Sequence, residues 1–191
     1  MSKVYHIGDL HLGHRNIMKY RKGFNQGTTS EQHDEIVVDI LCSSLSRRDT
    51  LFLHGDIFFT EHVVDKYSET ILNSCQNVHL VMGNHDLERV SVQDKIRCMS
   101  KLISCGYNIH GIAKRNMFWL THAPVHCDEL RGKFNIHGHV HNMTIDDYRY
   151  VNVSWDNCYM GKPIDQLLIK SAVDSKMVII GGDLNEQTFQ N

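Results

Sequence analysis

Short, β-branched apolar runs that stop in polar clusters are the feature that most constrains this chain. Val4-Tyr5-His6-Ile7 is followed by Thr50-Leu51-Phe52-Leu53-His54, Val78-His79-Leu80-Val81-Met82 and Met117-Phe118-Trp119-Leu120. Phe134-Asn135-Ile136-His137, Tyr150-Val151-Asn152-Val153 and Met177-Val178-Ile179-Ile180 complete the set. Runs this short that stay apolar on both sides suit strands covered on both faces. Helical patterns lie between the first three. Thr29 and Gln32 have the spacing of a capping box. Behind them Ile36, Val37, Ile40, Leu41 and Leu45 recur at helical spacing, with Asp34, Glu35 and Asp39 off the stripe. Glu61 to Asn73 carries Val63, Val64, Tyr67, Ile71 and Leu72 in the same manner. Pro163 reads as the first position of a last helix running through Leu167 and Leu168. Strand and helix alternate through the N-terminal half, which implies a parallel sheet with crossover helices. The strand-richer second half makes the whole a mixed α/β layered fold.

A chain of 191 residues, 41% hydrophobic, without repeats or linkers, reads as one domain over residues 1–191. Its core needs neither disulfides nor a structural metal. A net charge of −2 excludes a strongly basic nucleic-acid binder and leaves only a local basic patch open. Arg89, Arg97, Lys101, Lys114, Arg115, Arg131 and Lys133 are the material for one. No apolar run reaches the ~18 residues of a membrane span. The N-terminus has no signal-peptide pattern, so a cytoplasmic protein with no membrane partner is expected. Six cysteines without C-x-x-C spacing read as reduced thiols and exclude a zinc ribbon. The unusual number is 14 histidines.

Many of these histidines sit where the apolar runs stop. Gly8-Asp9-Leu10-His11-Leu12-Gly13-His14, Gly55-Asp56, Gly83-Asn84-His85-Asp86, Thr121-His122-Ala123-Pro124 and Gly138-His139-Val140-His141 each follow a predicted strand. In a parallel sheet the carboxyl ends of the strands line one crevice. Asp9 and His11 are two apart, as are His139 and His141, so each pair points to one side of an extended segment. Asp, His and Asn together suit manganese, iron, zinc or nickel better than calcium. Asp9, His11, Asp56, Asn84, His122, His139 and His141 exceed the four or so ligands one zinc-type ion takes. Two ions sharing a carboxylate would use them all, roughly 3.5–4 Å apart, and would activate a water for attack on phosphorus.

GDLHLGH, GD, GNHD, TH and GHVH, in this order, resemble the signature blocks of the calcineurin-like metallophosphoesterases. The resemblance implies a four-layer α/β/β/α sandwich of two mixed sheets flanked by helices, with a binuclear centre. By position, Asp9, His11 and His141 would hold one metal, Asn84, His122 and His139 the other, and Asp56 both. His85 matches the non-ligand histidine that serves as general acid. The Asp and Arg that follow the second block in the protein-phosphatase branch are absent, since Gly55-Asp56 runs into Ile57-Phe58-Phe59-Thr60. Asp86 is then the neighbour at hand to orient His85.

The expected activity is phosphodiester hydrolysis by hydroxide bridging two divalent transition metals, manganese first among iron, nickel and zinc. An uncapped site suits small phosphodiesters or nucleotides, cyclic nucleotides among them. A nuclease acting on nucleic-acid ends and a non-catalytic scaffold are the rival readings, with nucleic acid less favoured by the charge. His14 and Arg15 are candidate substrate contacts or the start of a solvated helix. His126 either faces the cleft or closes a turn. His137 and His54 are expected to pack beneath the metals, while His6, His33, His62, His79 and His110 read as structural.

Overall fold

All seven apolar runs become strands in the computed structural model, which describes residues 2–21, 24, 25, 27–88, 90–181 and 183–185. They are β1 (Val4–Ile7), β2 (Thr50–His54), β3 (Asn77–Val81), β6 (Phe118–Leu120), β7 (Phe134–His137), β8 (Tyr150–Asn152) and β10 (Val178–Ile180). Four short strands join them: β4 (Asn108–His110), β5 (Ala113–Arg115), β9 (Ile164–Asp165) and β11 (Asp183–Asn185). One sheet has the order β4-β3-β2-β1-β9, parallel except where β9 meets β1. The second has the order β5-β6-β7-β8, parallel except where β5 meets β6. β10 and β11 form a separate antiparallel pair.

The two mixed sheets are flanked by helices, in the expected α/β/β/α arrangement. Side chains of both contribute to one buried cluster, including Leu51, Leu53 and Leu80 from the first sheet and Leu120, Ile136 and Val151 from the second. The Arg115 guanidinium of β5 lies 5.6 Å over the Phe52 ring of β2. The sheets meet where Gly8 N donates to Val153 O (2.8 Å) and Trp155 N donates to Gly8 O (2.9 Å). Of the histidines read as structural, His6 and His33 are buried, His79 and His110 are half-buried, and His62 is exposed. His6 stacks on Phe52 at 5.2 Å, and Phe52 on His79 at 4.5 Å, in register across β1, β2 and β3. His6 hydrogen-bonds His54 at 2.9 Å, and burial pushes His6 down to about 3, so its ring is neutral.

α1 (Ser30–Ser43) begins with the expected capping box: Thr29 Oγ1 accepts from Gln32 N, and Gln32 Oε1 accepts from Thr29 N. α2 (Glu61–Ser74) buries Val63, Val64, Tyr67 and Ile71 as the stripe requires. α3 (Val92–Cys105) lies outside the sequence reading. It packs through Cys98 and Leu102 while Val92, Ile96 and Ile103 face solvent, so its apolar residues do not mark its packed face. The last helix, α4 (Gln166–Asp174), does not start at Pro163. Asp165 caps it by accepting from Leu167 N, and Pro163 instead precedes the two-residue edge strand β9, a position that tolerates a residue without N–H. Among the described residues no helix is long and apolar enough to cross a membrane. The six cysteines are free.

Candidate metal centre

The parallel strands deliver all five polar clusters to one end of the two sheets. The first two are zipped together: Asp9 N donates to Gly55 O (2.9 Å), His11 N to Asp56 O (2.8 Å) and Leu12 N to Ile57 O (3.0 Å). Asp9, His11, Asp56, His139 and His141 all have left-handed backbones, with φ between 52° and 72°. Each such residue costs about 1–2 kcal/mol, and strain of this kind persists where the surroundings over-determine a site. Two glycines permit the approach. A Cβ on Gly138 would strike the Asp9 carboxylate, and one on Gly83 would strike that of Asp56.

The candidate ligands form two groups, Asp9 with His11 and His141, and Asp56 with His122 and His139. His122 Nδ1–H donates to His54 O at 2.8 Å, so the neutral ring has no proton on Nε2. That nitrogen faces three other acceptors: Asn84 Oδ1 at 2.9 Å, His139 Nδ1 at 3.1 Å and Asp56 Oδ2 at 3.3 Å. Converging lone pairs repel one another unless a cation sits among them. Burial pulls His122 down, but the Asp56 carboxylate outweighs it and pushes the ring up to about 9, so without metal a proton occupies that place. In the first group, Asp9 Oδ1 and His11 Nε2 are buried, 3.9 Å apart and without a hydrogen-bond partner among the described residues. His11 Nε2 is also 3.9 Å from Asp56 Oδ2, which puts Asp56 within reach of both groups. Burial raises Asp9 to about 6 and lowers His11 to about 3. These donors fit divalent cations.

The surroundings orient these groups. His141 Nδ1–H donates to Asp156 Oδ2 at 2.8 Å, which leaves Nε2 for a cation. Asp156 in turn lies 3.6 Å from Arg21 Nε. The buried Arg21 guanidinium also donates to the carbonyls of Asp9 and Leu10, holding the first loop from behind. His85 N donates to Asp56 Oδ1 (2.8 Å), while its ring stacks on Phe59 at 5.5 Å. Its orienting carboxylate is Glu88, not Asp86: His85 Nδ1–H donates to Glu88 Oε2 at 2.6 Å. Asp86 is buried and turned inward, accepting from the backbone N–H groups of Gly83, Asp56, Ile57 and Phe58. It locks the third loop to the second.

A cavity of about 1000 Å³ opens beside the first group, reached by His11, His14, His85 and His141. His14 packs edge-on against Phe59 at 4.7 Å, whereas Arg15 is exposed and does not line the cavity. His126 closes a turn, accepting from Asp128 N, and is exposed. His137 packs beneath the site, its Nδ1–H donating to Gly138 O at 2.8 Å. His54 does the same, its Nδ1–H donating to Thr121 O at 3.0 Å. Of the candidate basic strip, Arg97, Lys101, Lys114, Arg115, Arg131 and Lys133 do not line the cavity, and Arg89 lies outside the described residues. Glu88, Asp156, Arg21 and Phe59 are the contributors the sequence reading missed. Only Glu88, three residues beyond His85, stood at a spacing that signals contact.

The family model for calcineurin-like phosphoesterases matches residues 2–184. An uncharacterized protein of Methanocaldococcus jannaschii is 25% identical over 154 residues, 80% of this chain and 77% of that protein. The crystal structure of a protein of unknown function from Aquifex aeolicus has a TM-score of 0.64 at 21% identity, covering 90% of this chain and 99% of that one. That likeness concerns the fold alone. With the family's pattern matched almost end to end and its metal-binding residue types gathered at the strand ends, the chain belongs to the calcineurin-like phosphoesterases.

Proposed function

We propose that the chain hydrolyses small phosphodiesters with two divalent cations, manganese foremost, as cofactors. The family implies metal-dependent phosphoester hydrolysis. The observation that carries the diester reading is the state of Arg21, the one arginine among the described residues lining the cavity. It is tied to Asp156, to two backbone carbonyls and to His33, which leaves no free arginine among the described cavity-lining residues for a dianionic monoester. A monoanionic diester makes less demand of that kind.

Asp9, His11 and His141 would hold one cation, Asn84, His122 and His139 the other, with Asp56 serving both. When bound, such a pair would neutralise phosphoryl charge and supply a water of lowered pKa. The chain's own contribution to bond cleavage is His85. Glu88 takes its Nδ1–H, so the second proton of the charged ring sits on Nε2. His85 lines the cavity, and from Nε2 that proton passes to the leaving oxygen as the P–O bond breaks. Phe59, stacked on one side, keeps the ring in place. The free cysteines support a reducing, cytoplasmic location for this activity.

The test compares kcat/KM on bis(p-nitrophenyl) phosphate and on p-nitrophenyl phosphate, with manganese, nickel, zinc and magnesium supplied separately. The diester is expected to be the better substrate, and manganese the best activator. A monoester preference of about tenfold, equivalent to about 1.4 kcal/mol of transition-state stabilisation, overturns the diester reading.

A further inference from the structure

The cavity beside His85 is larger and more apolar than a phosphate needs. Past the histidines its wall is built from Ile17, Tyr20, Ile36, Ile40, Trp155 and Met160. Several of these side chains are left uncovered: Tyr20 is 74% exposed, Met160 67% and Ile36 42%. They come from separate parts of the fold, namely the turn after the first cluster, α1 and the segment after β8. Gly161 closes the wall with φ +69°, and a Cβ there would strike the Trp155 ring. Its volume of about 1000 Å³ is at the upper end of ligand pockets.

We infer that one esterifying group of the substrate is uncharged and aromatic, and that it seats in this cleft against Tyr20, Ile36 and Met160. The inference rests on the diesterase reading and names the class of substrate for that same site. Three observations support it. The apolar wall is continuous with His85, so a group bound there is attached to the phosphorus being attacked. Among the described residues no unpaired Lys or Arg lines the wall, since Arg21 is buried and paired, so a second phosphate or a nucleic-acid backbone finds no partner among them. The rim carries the amides of Asn25 and Asn142, neither engaged by another described side chain, and these suit the polar edge of a flat ring better than an acyl chain. A nucleobase and a simple aryl alcohol share this chemistry.

Calorimetric binding of phosphate monoesters, the products of such a reaction, separates these sources. The ligands are phenyl phosphate, a nucleoside 5′-monophosphate and methyl phosphate, titrated into manganese-loaded protein. Aromatic ligands are expected to bind at least about tenfold tighter than methyl phosphate, as stacking on an exposed ring provides. A nucleotide that outbinds phenyl phosphate identifies the base as the source, and the reverse identifies an aryl alcohol. Tyr20→Ala with Ile36→Glu, both at exposed positions, should erase the aromatic preference and leave methyl phosphate binding unchanged. Equal binding of all three ligands by the wild type overturns the inference, whatever the activity. So does a dimer in sedimentation that the double variant dissociates, because the apolar face then belongs to a second copy. Aromatic preference in a protein that hydrolyses no diester supports the cleft's ligand class and overturns the hydrolase reading instead.

Discussion

Replacing Asp86 with asparagine tests how the site is held together. Asp86 Oδ1 accepts from Ile57 N (2.7 Å) and Phe58 N (3.0 Å), and Oδ2 from Asp56 N (2.9 Å) and Gly83 N (2.7 Å). The amide keeps one oxygen and turns an NH2 toward the two N–H groups that faced the other. Two bonds to a buried acceptor are lost, and two backbone donors confront a donor. A hydrogen bond to a charged group contributes about 1.5–3 kcal/mol. Burial already pushes the Asp86 carboxyl up, which favours the lower end of that range. The expected loss is therefore about 3 kcal/mol. The damage should reach the metal centre, because one disturbed donor is Asp56 N itself. Outer partners of this kind change metal affinity by about 10–100-fold. Urea unfolding of the metal-free protein measures the first quantity, and manganese titration the second. A stability loss under about 1 kcal/mol with unchanged manganese affinity would falsify the role given to Asp86.

His85→Ala should lower kcat by about 10²–10⁴-fold on a diester with an alkoxide leaving group, and less on one releasing nitrophenolate. Its metal content should stay that of the wild type, and loss of a cation by this variant would make His85 a ligand. Asp56→Asn should harm activity at saturating manganese more than Asp9→Asn does, because only Asp56 reaches both ligand groups; equal mild losses would remove the shared carboxylate. His6 supplies a pH dependence. Burial holds its pKa near about 3 in the fold against an ordinary 6.5, so the unfolded chain gains a proton as pH falls through 6.5 and the fold does not. The stability it contributes is full above that pH and is lost between 6.5 and about 3. By about pH 5 the loss is about 2 kcal/mol. The stability difference between metal-free wild type and His6→Phe should change by this amount between about pH 7.5 and about pH 5. A constant difference would show that His6 is not held neutral.

The seven strands built on unbroken apolar runs and the seven candidate ligand positions were legible because their signals are local. A buried strand needs an unbroken apolar run, and a parallel sheet places the residues after such runs at one edge. Gly55-Asp56 or Gly138-His139 therefore announces its position without reference to any other part of the chain. The Thr29 capping box was legible for the same reason, since donor and acceptor lie within one turn. α3 was not, because Val92, Ile96 and Ile103 face solvent and its packed face rests on Cys98 and Leu102. Tertiary structure alone decided which carboxylate serves which histidine. Asp86 is adjacent to His85 in sequence, yet the turn buries it among four N–H groups and hands His85 to Glu88. Asp156 meets His141, and Arg21 meets Asp156, only because the segment after β8 folds back onto the first loop. The apolar cleft is equally invisible in sequence, for its walls come from elements that no local pattern relates and that meet only when the sheets close.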